Sequence, residues 1–99
     1  MRLSRKEVLA IKTCVSRHFG NDAVVRLFGS RTNDAGRGGD IDLHIVTGTS
    51  ELPTLAAECD FYEDLVAEIG EQRIDTVVHP RDFPMRPIDH IAINEGTVL

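Results

Sequence analysis

Tryptophan is absent from this chain, and four Phe and one Tyr are its whole aromatic complement. Surfaces that stack single-stranded bases are built from aromatic rings, so that class of function is disfavoured. Positive charge is also in deficit. Eleven Lys and Arg face sixteen Asp and Glu, a formal net charge of −5, and such a field repels polyanions. Direct nucleic-acid binding is not expected. The two cysteines, Cys14 and Cys59, form neither a disulfide framework nor a metal-ligand spacing and are expected to be small core residues. No apolar run approaches membrane-spanning length, and Met1-Arg2-Leu3-Ser4-Arg5-Lys6 does not lead into a signal-peptide core, so a cytoplasmic location is expected. Repeats and low-complexity tracts are missing too.

What is present reads as one small domain. Ninety-nine residues, 41% hydrophobic and 27% charged, suit a soluble fold with one modest core, and residues 1–99 are expected to form a single domain. Ser4-Arg5-Lys6-Glu7 has the capping-box spacing, and Val8, Ile11, Val15 and Phe19 follow at helical intervals until Gly20, which predicts a helix over 4–19. Val24 to Phe28 reads as a strand, residues 29–39 as a glycine-rich loop, and Asp40 to Val46 as a half-buried strand of alternating polarity. Pro53 to Ile69 carries Leu55, Cys59, Tyr62, Val66 and Ile69 near one helical face. Ile74 to Val78 reads as a third strand, the proline-rich 80–87 as extended or turning, and Ile88 to Asn94 as a short last helix. The order predicts an α/β (α+β) fold in which helices pack on one face of a small mixed sheet.

Chemistry concentrates on carboxylates. Residues two apart in a strand share a face, so Asp40 and Asp42 project together while Ile41, Leu43 and Ile45 point inward. Adjacent carboxylates repel unless a cation lies between them, and Mg²⁺ is the natural partner because it prefers oxygen ligands and couples them to phosphates. Asp75 is an acid inside another apolar strand, so three strand-borne carboxylates are available to hold two ions. The competing reading is a solvated polar strand face. Leu27-Phe28-Gly29-Ser30-Arg31 places Gly-Ser directly after a strand, where a backbone without Cβ can approach a phosphate closely and the serine hydroxyl can donate to it. Gly36-Arg37-Gly38-Gly39 has neither P-loop nor dinucleotide spacing. His18, His44, His79 and His90 share no ligand spacing. His44 lies on the face of Asp42, either within reach of the site or as a surface ion pair.

Phe28-Gly29-Ser30-Arg31, the glycine-rich loop, Gly39-Asp40-Ile41-Asp42-Leu43 and Arg73-Ile74-Asp75 together resemble the DNA polymerase β-like nucleotidyltransferase superfamily, and within it the minimal nucleotidyltransferases. The ending, Ile91 through Glu95-Gly96 to Val98-Leu99, is similar to that family's tail. Thr32-Asn33-Asp34 stands where the family usually has Ala-Arg-Gly. The resemblance implies the nucleotidyltransferase fold and transfer of AMP from ATP to a hydroxyl. It gives Asp40 and Asp42 as ligands of two Mg²⁺ ions, Asp75 as the residue that completes the site and helps activate the acceptor, and Gly29 and Ser30 as the triphosphate cradle. Arg31 and Arg37 would add positive charge near the phosphates or remain solvated loop residues. Minimal nucleotidyltransferases are similar to this chain in size and often act as antitoxins beside a HEPN-type ribonuclease toxin, which implies a partner-protein acceptor such as a tyrosine. The alternative is a non-catalytic antitoxin or interaction module with a vestigial nucleotide site.

Overall fold

The computed structural model describes residues 3–29 and 40–99. Helix α1 (Arg5–Phe19) begins at the expected capping box. Ser4 Oγ accepts from the Glu7 amide at 3.1 Å, and Glu7 Oε1 accepts from the Ser4 amide at 3.0 Å. It ends at Gly20, whose φ of 106° is readily reached only without a Cβ. Strand β1 (Val24–Phe28) leads to Gly29, and strand β2 is Ile41–Val46. Helix α2 (Leu55–Ile69) is capped by Thr54, so Pro53 lies just outside the helix rather than opening it. Strand β3 (Ile74–His79) runs one residue beyond the expected end, and helix α3 (Pro87–Glu95) starts on its proline, where the missing N–H costs nothing. A two-residue strand, β4 (Thr97–Val98), follows and has no counterpart in the sequence pattern.

The four strands form one mixed sheet in the order β3-β2-β1-β4. β1 pairs antiparallel with β2 and with β4, while β2 and β3 run parallel, joined through α2. The fold is the small mixed α/β arrangement expected of this element order, with three helices on a four-stranded sheet. Val25 and Leu27, then Ile41, Leu43 and Ile45, then Ile74 alternate onto one face and pack with Ile11, Val15 and Phe19 of α1 and Phe61 and Leu65 of α2. The Phe19 and Phe61 rings meet at 5.2 Å between centroids. The short α3 lies over the opposite face, the one that carries Arg26, Phe28, Asp42, His44, Asp75 and His79.

The buried stripe of α2 differs from the expected one. Phe61 and Leu65 are its fully buried residues, with Val66 and Ile69 beside them. Leu55 is 77% exposed, Tyr62 is 40% exposed, and Cys59 is exposed as well. The helix is apolar on two adjoining faces, and the ring contact with Phe19 selects the one through Phe61. Cys14 is a core residue as expected, whereas Cys59 is not. Among the described residues no helix is long and apolar enough to cross a membrane.

Candidate functional site

Asp42 sits in the middle of a line of cross-strand neighbours. Phe28 is its register partner on β1 and Asp75 its register partner on β3. Partners on adjacent strands share a face, and the strands lie about 4.8 Å apart, so the two carboxylates project side by side. Asp42 is half-buried and Asp75 is exposed. The Asp42 carboxyl is pushed above its ordinary range, first by burial and then by repulsion from Asp75 and Asp40, with Arg73 pulling weakly the other way. The structure thus holds Asp42 and Asp75 together, at the end of the sheet where β1 gives way to Gly29.

Gly29 is the closest backbone to this pair. Its φ of 75° is left-handed, and a Cβ placed there would collide with the Asp42 carboxylate. Both facts require glycine at the position. Ser30, Arg31 and Arg37 lie outside the described residues. Asp40 immediately precedes β2, and its Oδ2 takes Arg73 Nε at 3.4 Å across a solvent-exposed ion pair. Among the described residues no group of three or more His, Cys, Asp or Glu forms a ready-made metal centre. The donor chemistry nevertheless fits a hard divalent cation. Among the described residues it consists of carboxylate oxygens, and Asp42, raised first by burial and then by repulsion from Asp75 and Asp40, would be relieved by a cation between them.

Deeper on the same face, a polar cluster is buried that the sequence pattern did not reveal. His44 Nε2 lies 2.7 Å from Asp89 Oδ1, and His79 Nδ1 lies 3.2 Å from Asp89 Oδ2. Arg86 closes the other side, donating from Nε at 2.9 Å and from its own backbone amide at 2.8 Å to Asp89 Oδ2. Asp89 and His44 are fully buried. Burial alone would raise the Asp89 carboxyl. The hydrogen bonds from the Arg86 side chain and backbone and from His44 override it and hold the carboxyl well below the usual carboxylate range. His44 is therefore tied to α3 rather than turned toward the carboxylates. Its Nδ1 is buried without a hydrogen-bond partner among the described residues. The Phe28 ring stands edge-on to His44, with 6.4 Å between centroids, between this cluster and the solvent end of the sheet. Arg86-Pro87 followed by Asp89 carries an i, i+3 ion-pair spacing at a helix start, the one local hint of the cluster. That His44 and His79 share its carboxylate depends on strand register.

Chemically, a paired carboxylate beside a glycine turn has the donors to hold a cation and, through it, a phosphate, while the buried cluster anchors α3 to the sheet beneath it. A comparison with curated proteins finds no match. The family model described as the nucleotidyltransferase domain matches residues 8–93, from the first turns of α1 into α3, and the chain belongs to that family.

Proposed function

We propose that this domain is a Mg²⁺-dependent adenylyltransferase that moves AMP from ATP to a hydroxyl of a partner protein, and that it serves as the antitoxin of a HEPN-type ribonuclease toxin. Nucleotidyl transfer follows from the family. The observation that supports the metal-dependent chemistry is the Asp42–Asp75 pair beside Gly29, with Asp40 one step before the strand. In this reading Asp40, Asp42 and Asp75 would hold two Mg²⁺ ions, which when bound would supply positive charge to the phosphoryl oxygens. Gly29, with Ser30 and Arg31 after it, cradles the triphosphate. The acceptor oxygen attacks the α-phosphorus, the bond from that phosphorus to the bridging oxygen of the β-phosphate breaks, and pyrophosphate leaves with the electron pair. Asp75, the most exposed of the β-strand acids, takes the hydroxyl proton and releases it to solvent.

The partner reading draws on charge. A protein with a net charge of −5 suits a basic partner, and a ribonuclease is basic where it holds RNA phosphates. AMP on a tyrosine near that site would add negative charge where RNA must bind. The test is to treat the co-encoded partner with this protein, Mg²⁺ and α-labelled ATP, remove this protein, and measure label, mass and RNA cleavage. Labelled, inactive partner is expected. The second reading, a contact-only module, is favoured by the Asp40–Arg73 ion pair and the lack of a ready-made metal centre among the described residues. Unlabelled partner that regains full activity after separation would establish it and exclude transfer.

A further inference from the structure

Among the described residues β3 ends the sheet, and no strand pairs with its outer side. The Ile41 amide donates to Arg73 O at 2.9 Å and the Thr47 amide to His79 O at 3.0 Å, which fixes the phase of the parallel ladder. Odd-numbered residues of β3 face β2, so Thr76 and Val78 turn their N–H and C=O groups outward. Val78 O accepts from Arg86 Nη2 at 3.0 Å. The amides of Thr76 and Val78 and the carbonyl of Thr76 have no partner among the described residues. Exposed edges are normally blunted by lysine, proline or a bulge, and Ile74–His79 contains no lysine or proline. A groove of about 610 Å³ follows this edge, floored by Thr76, Val77 and Val78. Leu52 and Pro53 wall it before α2, and Phe83 and Pro84 wall it before α3. Leu52 is 68% exposed, so apolar surface as well as main chain is left uncovered there.

We infer that this edge docks an extended, basic polypeptide segment as an added strand and presents one of its hydroxyl side chains beside Asp75. The inference rests on the proposed transfer to a protein hydroxyl and names the shape and chemistry of its acceptor. Charge selects the occupant. Glu58 of α2 lines the groove, and α2 carries no basic residue; its Asp64 is ion-paired with Arg17 on the α1 side, so Glu58 and Asp75 are the acids that bear on this edge. The basic side chains that reach the groove, Arg86 and His79, both contact Asp89. A second copy of the chain would set Asp75 and Glu58 against their own counterparts, and a nucleic acid would meet the same repulsion. Geometry selects the position. Opposed residues on neighbouring strands share a face, so the residue opposite Asp75 on the added strand lies on the side of Asp75 and Asp42. Main-chain pairing supplies affinity, and register decides which hydroxyl is offered.

The probe is a displayed library of ten-residue peptides with a fixed central tyrosine and random flanks, selected for binding to the full chain and followed by amide hydrogen exchange. Enriched peptides should be basic with a period of two, and they should slow exchange at Thr76 and Val78. N-methylation of alternate peptide amides should weaken binding by about tenfold or more, the scale of a lost main-chain hydrogen bond with an added clash, while methylation of the intervening amides should not. Thr76→Pro, which removes an outward N–H and leaves the β2 ladder intact, should weaken binding similarly without changing the melting shift given by Mg²⁺ and ATP. The peptide modification needs no change in the protein, so a folding defect in Thr76→Pro cannot imitate its result. Failure to select any binder, binders that leave Thr76 and Val78 exchange unchanged, or indifference to N-methylation overturns the docking edge. Incubation of bound peptide with α-labelled ATP tests the transfer reading separately. Strand-paired peptide that never gains label would sink transfer and leave the docking edge standing.

Discussion

Asp42 stands in an electrostatic conflict with its neighbours. Burial, Asp75 and Asp40 all raise its carboxyl, so in the folded state it binds a proton more tightly than in the unfolded chain. The sign of the stability effect follows. As pH rises through the window between the unfolded value, about 3.9, and the raised folded value, the native state must release a proton it prefers to keep, and stability falls. Above that window the penalty is complete; below it there is none. Asp42→Asn retains shape and removes the charge, so its melting temperature should exceed that of the parent protein at neutral pH and converge with it near pH 3. The same variant should lose nucleotidyl transfer. Thermal melts at both pH values, with a transfer assay, check this. A neutral-pH melting point below that of the parent would mean that Asp42 is stabilised by contacts other than those described, and full transfer activity would remove it from the site.

At the level of elements, the legible parts are those in which local signals agree. In α1 the Ser4–Glu7 capping box, the helical spacing through Phe19 and the Gly20 stop all lie within one segment, and the helix follows them closely. The same-face placement of Asp42 and Asp75 was accessible because alternation within each strand is a local property. The buried face of α2 was not, because Leu55, Cys59 and Tyr62 are as apolar as Phe61 and Leu65, and only the packed α1 decides between them. β4 is too short to carry a period and exists by pairing with Arg26 and Leu27. The Asp89 cluster needed the β2–β3 register and the docking of α3 at once. It is also what fixes α3. Asp89→Ala should leave His44 Nε2 buried and unpaired and loosen the helix, at a cost of about 2–4 kcal/mol, less than a wholly buried pair because Arg86 can turn to water. Because its carboxyl is depressed, Asp89 contributes its full stabilisation above the unfolded value near 3.9 and loses it progressively as pH falls below that. The variant's deficit should therefore be steady from about pH 5 upward and shrink toward pH 2. Chemical denaturation across that range measures it. A deficit that persists undiminished at pH 2 would assign the stabilisation to packing rather than to the carboxylate.

Over the whole molecule, charge and function pull against each other. A domain with a net charge of −5 repels ATP at long range, and in the proposed reading the carboxylates at the Asp42 end of the sheet add to that repulsion at the binding site. In that reading Gly29 leaves room for the phosphates, and Mg²⁺ entering with the nucleotide would offset the carboxylate charge. ATP and Mg²⁺ should therefore act jointly. Either alone should shift the melting temperature little, and the two together at about a hundred times the dissociation constant should stabilise the native state by about 2.7 kcal/mol. For a chain of 99 residues that corresponds to a rise of roughly 10 °C. The ATP-only shift should grow as added salt screens the repulsion over distances of about 10 Å at 0.1 M, while the joint shift, made of direct ligation, should change less. Thermal scans with ATP, Mg²⁺ and both, at low and moderate ionic strength, separate these contributions. A shift of equal size with ATP alone would show that the carboxylates do not face the nucleotide. No shift with both at saturating concentration would remove nucleotide binding, and with it the transfer reading, leaving the contact-only module.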